Sequence, residues 1–226
     1  AGASIRMTSS HPILLASSSP RRRQLLRLLG LDFSVCISPS DEDVMQERYS
    51  GPLEELAQWL AKHKAAAALT LPEAKGCTVI GADTTVLLDE RVLGKPRDKR
   101  HARELLLSLR GRWHYVITGI AVSGYIQGKR AMLSASCITP VLMRDYSVSE
   151  IMAYIATGDP LDKAGAYGIQ HSSFQPTERI DGCYFNVVGL PICTLVDLLA
   201  EFSIYPARRG PNAESGPCPW SEQCQI

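Results

Sequence analysis

Nothing in the 226 residues approaches the run of ~20 apolar residues that crosses a bilayer as a helix, so no membrane association is expected. Residues 1–10 lack the apolar core of a secretory leader, and a cytoplasmic location is expected. An excess of one charge is missing too: 24 Lys and Arg stand against 23 Asp and Glu, for a net charge of +1. A protein that coats a nucleic-acid polymer needs a large basic surplus to meet its phosphates, so no such partner is expected. The seven cysteines (36, 77, 137, 183, 193, 218 and 224) are odd in number, scattered and without a CxxC pair. That argues against a disulfide framework. Cys77 in Cys77-Thr78-Val79-Ile80 and Cys193 in Pro191-Ile192-Cys193 lie in apolar runs, as small buried residues of a reducing compartment do. The Walker A spacing of a P-loop is absent, and His63, His101, His114 and His171 show no HExxH-type metal spacing.

Apolar residues make up 45% and charged residues 21%, the proportions of a globular protein with a core. The chain is about one and a half times the ~150-residue prior for a domain. One domain over 12–205 is expected, followed by a tail, 206–226, whose Pro, Gly, Ser and charge predict disorder. Ile13-Leu14-Leu15-Ala16 reads as a short buried strand, followed by a helix with Ser19 at the N-cap, Pro20 at its first position and Gly30 past its end. A second helix spans about 53–67, with Leu53, Leu56, Leu60 and Lys64 on one stripe. Residues 77–80 read as a buried strand ending at Gly81-Ala82-Asp83, and 85–88 continue extended. Asp98 caps a helix closed by Gly111. Residues 113–125 and 130–143 read as two long strands joined around Gln127-Gly128-Lys129. Ser147 to Glu150 is a capping box, 159–170 a loop, 184–188 a strand, and Pro191 opens a last helix. This order predicts an α/β fold on a mixed β-sheet with flanking helices; α+β stays open.

Five places carry candidate chemistry. Ser17-Ser18-Ser19-Pro20-Arg21-Arg22-Arg23 puts three arginines at a helix N-terminus, where each opposes the macrodipole by roughly 0.3–1 kcal/mol if exposed. A bound polyanion removes that conflict, and strand, serine turn and helix start together suit phosphate; a solvated basic turn is the plainer reading. Asp83 ends an apolar strand, where open α/β sheets place ligands, and reads as a general base, a metal ligand or a turn cap. Lys64 on an apolar stripe either reaches out at the helix end or meets an anion in a cleft. Lys95 in Gly94-Lys95-Pro96 is a second such cation. Asp41-Glu42-Asp43 is a solvated acidic loop or a set of hard ligands for Mg²⁺. In 163–170, glycines admit a close ligand, and Gln170 offers both a donor and an acceptor to a base edge.

Together these segments resemble the Maf family of nucleotide pyrophosphatases over roughly residues 12–203. The resemblance rests on Leu15-Ala16-Ser17-Ser18-Ser19-Pro20-Arg21-Arg22, Gly81-Ala82-Asp83-Thr84 and Leu93-Gly94-Lys95-Pro96-Arg97-Asp98. It continues in His114-Tyr115-Val116-Ile117-Thr118-Gly119, Asp162-Lys163-Ala164-Gly165-Ala166-Tyr167-Gly168-Ile169-Gln170 and Val187-Val188-Gly189-Leu190-Pro191. It implies a mixed-sheet α/β fold with two lobes around a central cleft, a homodimer in many members, and a divalent cation, Mg²⁺ or Mn²⁺. The implied reaction cuts a nucleoside triphosphate between its α and β phosphates. By the same resemblance Asp83 matches the acid that activates water, while Ser17, Glu42, Lys64 and Lys95 match the phosphate and metal environment, with Glu42 and Asp83 as metal ligands. Arg21, Thr84 and Gln170 match positions tied to base choice, and the Thr84/Gln170 pairing looks like the dTTP/UTP branch. Two other readings stay open: a nucleotide-binding regulator of cell division without turnover, and a pyrophosphatase directed at purine or 7-methyl-GTP nucleotides.

Overall fold

A computed structural model describes residues 12–40 and 42–206; the tail expected to be disordered lies, from 207 on, outside the described residues. Eleven consecutive residues rich in Val, Thr and Leu form the central strand, β3 (Thr78–Leu88). On one side it pairs antiparallel with β5 (Trp113–Ile126), which pairs with β6 (Lys129–Met143), which pairs with the edge strand β7 (Thr177–Ile180). On its other side β1 (Ile13–Ala16) runs parallel to it, and β2 (Phe33–Cys36) runs parallel to β1. The short β4 (Arg91–Leu93) folds back on the end of β3. The result is a seven-stranded mixed sheet among the described residues, ordered β2-β1-β3-β5-β6-β7 with β4 beside β3.

One detail of this ladder makes the site. β1 ends at Ala16, opposite Gly81, and β4 begins its pairing at Val86. Among the described residues, the edge of β3 at 82–85 therefore has no neighbouring strand on the β1 side, although β5 continues to pair with it on the other. Asp83 is thus not at the end of its strand, as expected, but sixth of eleven residues, beside the place where the neighbour stops.

Strand side chains alternate between faces, so Val79, Asp83 and Leu87 share one face and Ile80, Ala82, Thr84 and Val86 the other. The first face meets α3 (Leu56–Ala68), which follows a 3₁₀ turn at Leu53–Glu55. Its buried side is small: Ala57, Ala61, Ala65 and Ala68 are fully buried. Glycines on the strands match it. A Cβ on Gly81 would lie 2.5 Å from the Ala61 carbonyl oxygen, and one on Gly119 would overlap the Ala57 backbone. The helix therefore lies close on the sheet.

The opposite face carries two separate cores. Ile80 and Ala82 pack with α1 (Pro20–Arg27), α6 (Tyr184–Val188) and α7 (Ile192–Glu201) through Leu25, Leu26, Phe185, Leu195 and Leu199. Val86 and Leu88 pack with α4 (Lys99–Leu109) and α5 (Val148–Ala156) through Leu105, Leu106, Leu109, Ile151 and Tyr154. Thr84 stands between the two, which is the two-lobed arrangement expected. Segment 184–188 is a helix rather than the expected strand: Cys183 Sγ accepts from the Asn186 N–H (3.3 Å) at its start, and Gly189 (φ +123°) ends it. Of the acidic segment expected as a loop, Glu42 and Asp43 open α2 (Glu42–Arg48), and Asp41 lies outside the described residues. Cys36 and Cys77 are free thiols, whereas Cys193 is disulfide-bonded, against the expectation of reduced cysteines throughout. No helix among the described residues is long and apolar enough to cross a membrane.

Candidate active site

Over the uncovered stretch of β3 opens a cleft of about 1150 Å³. Ser17, Arg21, Lys64, Asp83, Thr84, Lys95 and Gln170, singled out from sequence on separate segments, all line it. Glu42 opens α2, and its side chain lies outside the described set.

The floor is an ion pair. Lys64 Nζ, reaching down from α3, pairs with Asp83 Oδ1, and each residue is only 6% exposed. The anion that the buried Lys64 meets is therefore the protein's own carboxylate. Removing either partner of such a pair leaves a charge stranded in low dielectric, which costs about 3–5 kcal/mol. Beside Asp83 on the same face, Thr85 Oγ1 is buried with no hydrogen-bond partner among the described residues. Within that same set, no three His, Cys, Asp or Glu side chains gather into a metal cage. A carboxylate and an orphaned hydroxyl are nonetheless hard oxygen donors. They fit Mg²⁺ or Mn²⁺ in the mode that takes one or two carboxylates and completes its shell with phosphate and water.

One wall is the serine turn and the start of α1. Ser19 caps the helix by accepting from the Arg22 N–H (3.4 Å), and Pro20 fills its first position. Ser17, 7% exposed, accepts from the Ser19 N–H (3.2 Å) and from Arg22 Nη1 (3.4 Å), so its hydroxyl holds the turn together. The two arginines part ways here. Arg22 turns inward, donating from Nε to Gly189 O (2.8 Å) and from Nη2 to Thr84 Oγ1 (3.0 Å). Arg21 stays half-buried in the cleft with no hydrogen bond or ion pair among the described residues. By residue type alone the two look alike, and only the family resemblance set Arg21 apart; the helical turn separates them in space, because neighbouring positions on a helix point about 100° apart.

The opposing lobe contributes 159–170. Lys163, 8% exposed, donates from Nζ to Asp159 O (2.6 Å), Asp159 Oδ1 (2.8 Å) and Asp162 Oδ1 (2.7 Å). Tyr154 OH donates to Asp159 Oδ2 (2.7 Å) and accepts from the Gly168 N–H (3.0 Å). Burial works to raise the Asp159 pKa, but the hydrogen bonds from Lys163 and Tyr154 and the Lys163 charge outweigh it and hold the carboxyl below its usual range. Burial and then the bond to Asp159 push the Tyr154 hydroxyl up. This network pins the loop that carries Gln170, which is exposed on the rim. Lys95 is likewise exposed there, and the Gly165 N–H donates to Gly94 O (3.1 Å), tying its loop to the same wall. Sequence reasoning missed Thr118 and Asn186, which lie behind Thr84; both sit in apolar runs where nothing marks a single polar residue as special.

The profile of the Maf-like protein family matches residues 12–202. Three curated relatives share the name dTTP/UTP pyrophosphatase. The protein from Dictyoglomus turgidum is 43% identical over 190 residues, covering 84% of this chain and 95% of its own. That from Desulforamulus reducens is 42% identical over 193 residues, 85% of this chain and 97% of its own. That from Thermomicrobium roseum is 42% identical over 214 residues, 95% of this chain and 93% of its own. With a matched region that spans the strands, the cleft and both lobes, this chain belongs to the Maf family.

Proposed function

We propose that the protein hydrolyses dTTP and UTP to the monophosphate and pyrophosphate, with Asp83 activating water. The observation that carries this is the buried Lys64–Asp83 pair on the floor of a cleft whose wall is a serine turn and helix start. The names of the relatives point to the same substrates.

In this reading the α1 start, Ser17 and Arg21 receive the triphosphate, and Lys95 closes on it from the rim. Lys64 fixes the Asp83 carboxylate in one orientation. Asp83 accepts a proton from water as the water oxygen attacks the α-phosphorus. The bond from that phosphorus to the bridging oxygen breaks, and its electron pair leaves with pyrophosphate. Cations aimed at the leaving group stabilise the charge that develops there, which is commonly the largest catalytic contribution. A divalent ion held by Asp83, with Glu42 as the second carboxylate, would neutralise the phosphate chain. Thr84 and Gln170 meet the nucleoside, with Arg21 contributing to base choice.

The same reading takes residues 12–205 as the catalytic domain and the cytoplasm as its location. It also makes the protein a homodimer. Trp113, Tyr115 and Ile138 share one face of the β5–β6 ribbon and are 46%, 48% and 48% exposed, an apolar surface suited to a second copy.

The test is pyrophosphate release from a panel of canonical and modified nucleoside triphosphates with Mg²⁺ or Mn²⁺. Release from UTP and dTTP ahead of purine and 7-methylguanine nucleotides is expected. Saturable nucleotide binding without pyrophosphate would identify a regulator instead.

A further inference from the structure

On the sheet face opposite Asp83, a chain of polar groups runs from the cleft into the core. Arg22 Nη2 donates to Thr84 Oγ1 (3.0 Å), Thr84 Oγ1 lies 2.9 Å from Thr118 Oγ1, and Thr118 Oγ1 lies 3.0 Å from the Asn186 carbonyl oxygen. Asn186 is 0% exposed and held on several sides. Its Nδ2 donates to Val116 O (2.9 Å) and Thr139 Oγ1 (2.8 Å), and its Oδ1 accepts from the Thr118 N–H (3.1 Å).

Counting protons fixes the direction of this chain. A carbonyl oxygen only accepts, so the single hydroxyl proton of Thr118 goes to Asn186. The contact between the two threonines must then use the proton of Thr84. Arg22 only donates, so it occupies one of the two lone pairs on Thr84 Oγ1. For a molecule in the cleft, Thr84 has one lone pair left and no proton. The reverse arrangement would set two oxygen lone pairs against each other at Asn186 and leave a buried carbonyl unsatisfied.

Resting on the pyrimidine nucleotide reading, we propose that Arg22, Thr118 and Asn186 are positioning residues that hold Thr84 as an acceptor only, and that this acceptor takes the N3–H of a uracil or thymine ring. Ionised phosphate oxygens have no proton to give, so an acceptor-only hydroxyl belongs with the nucleoside. Uracil and thymine both present N3–H. Cytosine presents a bare N3, whose lone pair would oppose that of Thr84. Discrimination then comes from a buried relay whose inner members never touch the substrate.

The experiment measures kcat/KM for pyrophosphate release from UTP, CTP and 3-methyluridine triphosphate with wild type, Thr118→Val and Thr118→Ser. Valine keeps the shape of Thr118 but cannot accept, which frees the Thr84 proton to point at a ligand. The UTP:CTP ratio is expected to fall by about tenfold or more in Thr118→Val and to stay within about twofold of wild type in Thr118→Ser, since one hydrogen bond has changed sign only in the former. Wild type is expected to lose about 100-fold on 3-methyluridine triphosphate, where the N3 proton is replaced by methyl. That probe needs no variant, so the proposal stays testable should Thr118→Val not fold. Three results overturn it: an unchanged ratio in folded Thr118→Val, wild type cutting CTP as fast as UTP, or 3-methyluridine triphosphate cut as fast as UTP. The last would assign the Thr84 acceptor to a sugar hydroxyl. Wild type that releases pyrophosphate from neither UTP nor dTTP overturns the pyrimidine reading and the inference with it; UTP turnover with the other results adverse overturns the inference alone.

Discussion

Asp83 and Lys64 lie 19 positions apart and meet only because α3 crosses β3 at that point. Their contact makes two separable predictions. Asp83→Asn keeps the size and one acceptor of the side chain but loses its basicity. Turnover of UTP should fall by ~10²–10⁴-fold, the span of losing a general base, while saturating nucleotide still binds; a pyrophosphate assay beside equilibrium binding measures both. Lys64→Met removes the ammonium and leaves Asp83 buried without it. Urea denaturation should show a loss of about 3–5 kcal/mol; a loss under ~1 kcal/mol would mean that water reaches the pair and screens it. Each residue stood out in the sequence, Lys64 as a charge on an apolar stripe and Asp83 as an acid in an apolar strand. Their pairing did not, because it depends on the register of a helix against a sheet. Arg22 was legible only as one of three arginines. Its inward turn depends on Gly189, whose carbonyl it reaches across 167 positions of chain.

Among the elements, periodicity served best where one face is apolar and one is not. The hairpin of β5 and β6, the Ser147–Glu150 capping box and the Asp98 cap of α4 stand where the pattern puts them. It failed where pattern alone is ambiguous. Tyr184 to Val188 is short and mostly apolar, a run that suits a buried strand or a buried helix equally; the Cys183 cap and Gly189 decide for helix. β7 (Thr-Glu-Arg-Ile) has no apolar alternation, since it is an edge strand recruited by the backbone of β6. The placement of α3 rests on absent side chains. Gly119→Ala inserts a Cβ against the Ala57 backbone, which cannot swing aside as a side chain would. Overpacking of this kind costs about 1–3 kcal/mol, and here it also pushes Lys64 from Asp83. The melting temperature and UTP turnover should fall together; a variant with wild-type values for both would show that α3 is free to shift.

For the whole molecule, two cores grip one sheet and leave the cleft between them. The split follows from a ladder in which β1 stops early, a feature with no local mark in the sequence, although the mixed sheet itself was legible from the order of elements. Acid should loosen the structure through the lobe built on α4 and α5. His114, 1% exposed, bonds through Nε2 to Tyr167 OH (2.6 Å), and burial pulls its pKa down from 6.5 to about 4. The unfolded chain therefore takes up a proton below pH 6.5 that the folded one refuses until about pH 4. Stability should drop across that window, by up to about 3 kcal/mol from this group, and not change further from it below. Denaturation at pH 7, 5 and 4 measures the slope, which His114→Gln should flatten. A second contribution lies lower: hydrogen bonds from Ser147 and then Arg144 hold Glu150 down from 4.5 to about 2, so the α5 cap survives until the pH falls toward that value.

Attack of water on the α-phosphorus in this cleft is open to direct test. Turnover of UTP in ¹⁸O-labelled water, followed by mass spectrometry of both products, tests it most directly. One labelled oxygen in the UMP and none in the pyrophosphate is the predicted result, with turnover abolished by excess chelator and lost in Asp83→Asn. Label in the pyrophosphate, or orthophosphate in its place, would contradict the account.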